Sequence, residues 1–91
     1  MDINKRVCLK PDYLLEKIDN EITVYHPSLT TSLYMNDSSA VVWELCDGKR
    51  TISDIVEMLQ EAYPENSTQI KDDVIMIIQQ LVDHEIASLR D

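Results

Sequence analysis

Residues 33–60 read LYMNDSSAVVWELCDGKRTISDIVEMLQ, and the punctuation of this stretch decides the fold class. Leu33 to Met35 end a short extended run. Asn36 or Asp37 then supplies the side-chain oxygen that accepts from the free N–H groups of a helix start. The helix so opened runs to about Cys46. Asp47-Gly48 stops it, because glycine takes the left-handed conformation at little cost. Thr51 starts a second helix, with Asp54 three residues on as a short version of the capping box. Ile52, Ile55, Val56, Leu59 and Tyr63 recur at helical spacing and mark its buried face, and Pro64 ends it.

Upstream, ITVYH (22–26) alternates, with Ile22, Val24 and His26 on one face and Thr23 and Tyr25 on the other. YLLEKI (13–18) and SLYM (32–35) flank it as further strands, DNE (19–21) reads as a turn, and Pro27 begins a loop. Residues 1–12 have no clear period and read as a tail or an edge extension, ahead of a single domain over 13–91. Downstream, Ser67 caps a third helix, about Thr68 to His84, and IASL (86–89) is a terminal extended segment. The expected fold is therefore α+β and winged-helix-like: a three-stranded antiparallel meander followed by three helices.

On a wheel of about 100° per residue, Ile70, Val74, Ile77 and Leu81 of the third helix form one tight core stripe. Ile75, Ile78 and Val82 form a second stripe on one shoulder, with Lys71 at its edge, while Asp72, Asp73, Gln79, Gln80 and Asp83 cover the opposite side. This apolar arc is wider than packing on one neighbour requires. Either the helix is central and touches several elements, or the shoulder lines a groove for a partner.

Composition narrows the function. A chain of 91 residues suits one domain with one modest core. The net charge is −9, and the bases are scattered apart from Lys5, Arg6 and Lys10. Nucleic-acid affinity rests on Lys and Arg displacing counterions, so nucleic acid is disfavoured, and an anionic membrane surface with it. The longest apolar run, VIMII (74–78), is far too short to span a bilayer. The start, MDINKRVCLK, lacks the apolar core of a signal peptide. Cys8 and Cys46 are far apart, so a cytoplasmic protein with two reduced thiols is expected.

Chemistry is scarce. His26 and His84, the only histidines, have no second ligand at metal spacing. With Gly48 the only glycine, neither phosphate-loop motif can form. Asp72-Asp73 and Asp83-His84-Glu85 belong to the solvated side of the wheel. Cys46 sits at a helix C-terminus, where the dipole opposes a thiolate. Trp43 reads as packing. The residues point to no enzyme, no metal and no cofactor.

The ordered combination resembles the PqqD family of pyrroloquinoline quinone biosynthesis proteins. It comprises Met35-Asn36, Ala40, Trp43 and Leu45, the hinge Asp47 to Thr51, then Ile52, Ile55, Val56 and Leu59, and later Asp73-Val74, Ile77, Leu81 and Ile86. The likeness covers roughly residues 13–89. It implies a non-catalytic recognition element for ribosomally made, modified peptides. Such a domain binds the leader of a precursor peptide as an added strand and delivers it to a modifying enzyme, often a radical S-adenosylmethionine protein. The implied site is the third strand, Thr31, Ser32, Leu33, Tyr34 and Met35, with Lys71, Ile75, Ile78 and Val82 across a cleft. Two alternatives stay open: a winged-helix nucleic-acid regulator, which the charge opposes, and a structural adaptor that forms a homodimer through the sheet edge or the shoulder.

Overall fold

In the computed structural model, which describes residues 1–29 and 32–91, the chain forms six strands and three α-helices, the first four strands preceding any helix. The strands are β1 (Arg6–Leu9), β2 (Leu14–Ile18), β3 (Glu21–Tyr25), β4 (Ser32–Met35), β5 (Asp47–Thr51) and β6 (Ala87–Arg90). The helices are α1 (Asp37–Leu45), α2 (Ile52–Ala62) and α3 (Ser67–Asp83), with a 3₁₀ turn at Pro64–Asn66. The fold is α+β, as expected. Two three-stranded antiparallel sheets form, in the orders β2-β3-β4 and β5-β1-β6.

The first sheet is the expected meander. Ile18 pairs with Glu21 across the two-residue turn Asp19-Asn20, and Asp19 adopts φ 55° there. A short polar side chain tolerates this left-handed region better than a branched one. Ile22 and Val24 turn inward and are buried, while Thr23 and Tyr25 turn outward. Met35 pairs with Ile22 and Leu33 with Val24, so the β4 side chains that continue the inner face are Leu33 and Met35.

The second sheet is new to the reading. Residues 1–12, taken as a tail or an edge extension, contain β1, the middle strand between β5 and β6. Lys10 N–H donates to the Ile86 carbonyl at 2.8 Å, and Ser53 N–H to the Ile3 carbonyl at 2.9 Å, tying both flanks of β1 to distant segments. Val7 is fully buried. Asp47-Gly48 does end α1, but instead of a bare hinge it opens β5, with Gly48 at φ 80°. IASL becomes β6. A four-residue strand shows too little alternation to be legible, and its partners lie some 40 and 80 residues along the chain.

Helix starts follow the side chains. Asn36 Oδ1 accepts from Ser39 N–H at 2.8 Å and caps α1. Thr51 and Asp54 close a full capping box around α2, each bond 3.0 Å. Ser67 is the first residue of α3 rather than its cap, and no side chain caps that helix. Its other end is a Schellman motif: Ile86 N–H reaches Leu81 O and Glu85 N–H reaches Val82 O, with Glu85 at φ 60° in the position glycine usually fills. Buried Ile86 and Leu81 complete the turn with their apolar contact.

One core joins both sheets to the helices. It includes Val7, Val24, Val42, Ile52, Ile55, Val74, Ile78, Leu81 and Ile86. Trp43 packs half-buried against it, and Cys46 lies inside it.

Candidate functional site

The N- and C-terminal strands pair with each other in the second sheet, so neither covers β4. Among the described residues β4 pairs only with β3, and its outer edge carries no partner strand. Asn36 follows β4 directly, so the strand leads straight into α1. Between α1, the end of α2 and the first half of α3 lies an open cleft of about 200 Å³. Val41 and Val42 of α1, Leu59 of α2 with Tyr63 just past its end, and Ile70, Val74 and Ile77 of α3 make its apolar walls. Asp37, Ser38 and Asp73 stand among them as the polar lining. Cofactor pockets run to about 300–1,000 Å³, so this cleft suits aliphatic side chains of a chain that passes over it.

Of the residues expected to bind peptide, Thr31 lies outside the described residues. Ser32 and Tyr34 are exposed on β4, and Leu33 and Met35 are half-buried. Lys71 is exposed, and Ile75 and Val82 are half-buried at the margin of the core. Ile78, expected on an open shoulder, is fully buried. On the wheel it sits only about 40° from Val74, in the middle of the apolar arc, so it points into the core. Ile75 lies in a separate surface depression with Met1 and Met76. The cleft beside α1 is lined by the other margin of the arc, Ile70 and Ile77, and by Asp73, which had been placed on the solvated side.

Val41 was missed altogether, although a signal was present. Val41 and Val42 are adjacent, and neighbours on a helix diverge by about 100°, so both cannot face one core. Val42 is buried; Val41 is 40% exposed.

The remaining candidate groups do structural work. His26 Nδ1 accepts from Ser28 N–H at 3.0 Å, and its ring meets Tyr13 edge-on. His84 Nδ1 lies 2.8 Å from the Gln80 carbonyl, at the end of its own helix. Lys49 N–H, and then Arg50 N–H and guanidinium, hold the Asp47 carboxyl below its ordinary range. Among the described residues no cluster of three or more His, Cys, Asp or Glu could hold a metal, and no helix is long and apolar enough to cross a membrane.

Burial, and then the neighbouring Asp47 charge, push the Cys46 thiol up from 9.0 to about 12. Its Sγ lies 3.1 Å from the Val42 carbonyl, to which the thiol donates. A thiol held protonated is a poor nucleophile at neutral pH. The raised value also carries a sign. Below pH 9 the thiol is protonated in both folded and unfolded chains, and its contribution to stability is whole. Between pH 9 and about 12 only the unfolded chain loses the proton, so stability falls, by up to about 1.4 kcal/mol per pH unit. Urea midpoints measured from pH 8 to 11 should therefore decline, and Cys46→Ala should flatten part of that decline. Equal slopes in both proteins would place the thiol in water.

A solved structure shares this architecture. The protein TbiB1, determined in complex with the TbiA(beta) leader peptide, superposes with a TM-score of 0.70 over 89% of this chain and 94% of its own, at 16% identity. At that identity the likeness concerns the fold. The family model of coenzyme PQQ synthesis protein D (PqqD) matches residues 21–87, and the chain belongs to that family. A PqqA binding protein from Klebsiella pneumoniae is 40% identical over 45 residues, which are 50% of this chain. The chain spans about half the length of that curated relative, 48%.

Proposed function

We propose that this chain is a non-catalytic carrier of a precursor peptide. It captures the leader as a fourth strand on the free edge of β4, seats the leader's aliphatic side chains in the α1–α3 cleft, and delivers the peptide to a modifying enzyme of the radical S-adenosylmethionine class. The observation that carries this reading is an unpartnered edge on β4 in a chain that also holds an open apolar cleft between α1, α2 and α3. Family membership and the likeness to a leader-bound fold support the same reading.

The energetics require both parts. Ordering about six leader residues costs roughly 1–2 kcal/mol each. Each new backbone hydrogen bond returns only about 0.5–1.5 kcal/mol net. Pairing alone falls short, and two or three buried aliphatic anchors, at roughly 1.5–3 kcal/mol each, close the gap. The strand edge sets register and direction, and the cleft supplies affinity.

Titrating the isotope-labelled chain with synthetic PqqA, the peptide that the name of the Klebsiella relative says it binds, tests this. Saturable binding should shift the amide signals of Ser32–Met35, Val41, Ile70 and Ile77 and slow hydrogen exchange along β4. No binding, or shifts centred on Ile75 and Met76, would overturn it. A nucleic-acid role is opposed by the net charge of −9, since such binding draws its affinity from Lys and Arg.

A further inference from the structure

The cleft between α1, α2 and α3 is lined by one sign of charge. Asp37 and Ser38 stand at the start of α1 and Asp73 on α3. Among the described residues no Lys, Arg or His lines it. Lys71, the cation expected at the edge of the site, is exposed and not part of this lining. Two carboxylates thus border one apolar cleft from two helices, and the fold consumes neither. Asp73 Oδ1 accepts from Gln69 Nε2 at 2.9 Å, a neutral donor one turn earlier, and Asp73 takes part in none of the ion pairs among the described residues. Asp37 Oδ1 lies 3.8 Å from Lys17 Nζ, with the two side chains 90% and 60% exposed. So open a pair is worth little and gives way to a better-placed cation. Tyr63, 52% exposed, adds an aromatic ring to the same lining, and such rings attract cations over their faces.

We infer that the cleft selects its guest by charge, and that the leader it takes carries a Lys or Arg next to an aliphatic anchor. The inference rests on the peptide-carrying reading above and names the chemistry of the peptide. A Lys or Arg side chain has an apolar stem and a charged head. The apolar walls suit the stem, and Asp37 and Asp73 suit the head. A leader with Asp or Glu at that place would bring like charges together in a partly desolvated cleft, on a chain that already carries −9. Affinity and choice then have different sources. Burial of aliphatic groups supplies most of the affinity, but it distinguishes poorly between leaders, since aliphatic side chains are common to most peptides. The carboxylates supply the choice, because they reject acidic peptides that the walls alone would accept. A carboxylate introduced at Val41 is a different case: it stands among the apolar walls and meets the aliphatic anchor instead of the cation.

The test uses the full chain and synthetic PqqA. In calorimetry at ~20 mM salt, Asp37→Asn/Asp73→Asn should bind the peptide about 3- to 10-fold more weakly than wild type, the combined worth of two part-exposed pairs. At ~0.5 M salt the difference should largely vanish. Replacing the Lys and Arg residues of the peptide by Gln, one at a time, should find one substitution that costs the wild-type chain the same factor and costs the double variant nothing further. Asp72→Asn/Asp83→Asn removes equal charge from the separate depression around Met76 and should leave the affinity unchanged. Equal or tighter binding by Asp37→Asn/Asp73→Asn would overturn the inference. So would an equal loss in Asp72→Asn/Asp83→Asn, which traces the effect to net charge. The peptide series decides even where the α1 substitution harms the fold, since it uses the wild-type chain: if no Lys or Arg replacement weakens binding, the inference fails. Failure of the wild-type chain to bind PqqA at all is a separate result, and it sinks the peptide-carrying reading itself.

Discussion

Ile78→Asp is expected to abolish folding. The side chain is fully buried and shares the core with Val74, Leu81 and Ile86. Removing it costs about 2–5 kcal/mol in lost transfer and cavity terms. A carboxyl left without a partner adds roughly 2 kcal/mol or more, even after it takes up a proton. A domain of this size holds on the order of 5–10 kcal/mol in all, so the two losses consume most of it. Circular dichroism followed on heating should show no cooperative thermal transition. Met76→Asp is the control: it lies on the same helix, 57% exposed, and should stay within about 0.5 kcal/mol of wild type. If Ile78→Asp melts close to the wild-type temperature, the residue is not in the core and the shoulder is open after all.

That contrast shows where reading the chain stops. The caps at Asn36 and Thr51 were legible because capping is local chemistry: one oxygen, one N–H, three residues apart. The meander was legible because Ile22 and Val24 alternate with Thr23 and Tyr25. The second sheet was not, because Val7 finds its neighbours near Asp47 and Leu89, and nothing within residues 6–9 encodes such distant partners. The wheel gave the width of the α3 arc correctly but could not say which margin stays open. That depends on where α1 lies, and the placement of α1 is a tertiary fact. With α1 against Ile70 and Ile77, the cleft forms on that margin, and Ile78 closes over the core. That β4 ends the meander was therefore readable in the sequence, while on α3 the pattern offered only a choice between two sides.

Val41→Asp decides between those sides. Val41 projects into the cleft from α1 and is 40% exposed. The substitution leaves the core intact. Its cost to the fold is a few tenths of a kcal/mol from the like charge of Asp37 one turn earlier. For the proposed leader it removes an apolar wall and sets a third carboxylate beside Asp37 and Asp73. An anchor worth about 1.5–3 kcal/mol corresponds to a loss of roughly 10- to 150-fold in leader affinity, with the melting temperature nearly unchanged. Val41→Thr, of similar shape, should lose less. Val82→Asp, on the opposite margin of α3, should lower stability through its half-buried position and leave the affinity of the folded fraction intact. The reverse pattern, with leader binding lost in Val82→Asp and kept in Val41→Asp, would move the guest strand to the Ile75–Val82 margin. It would leave the α1–α3 cleft as a packing defect, because the free energy that backbone pairing cannot supply would then come from the other side of the helix.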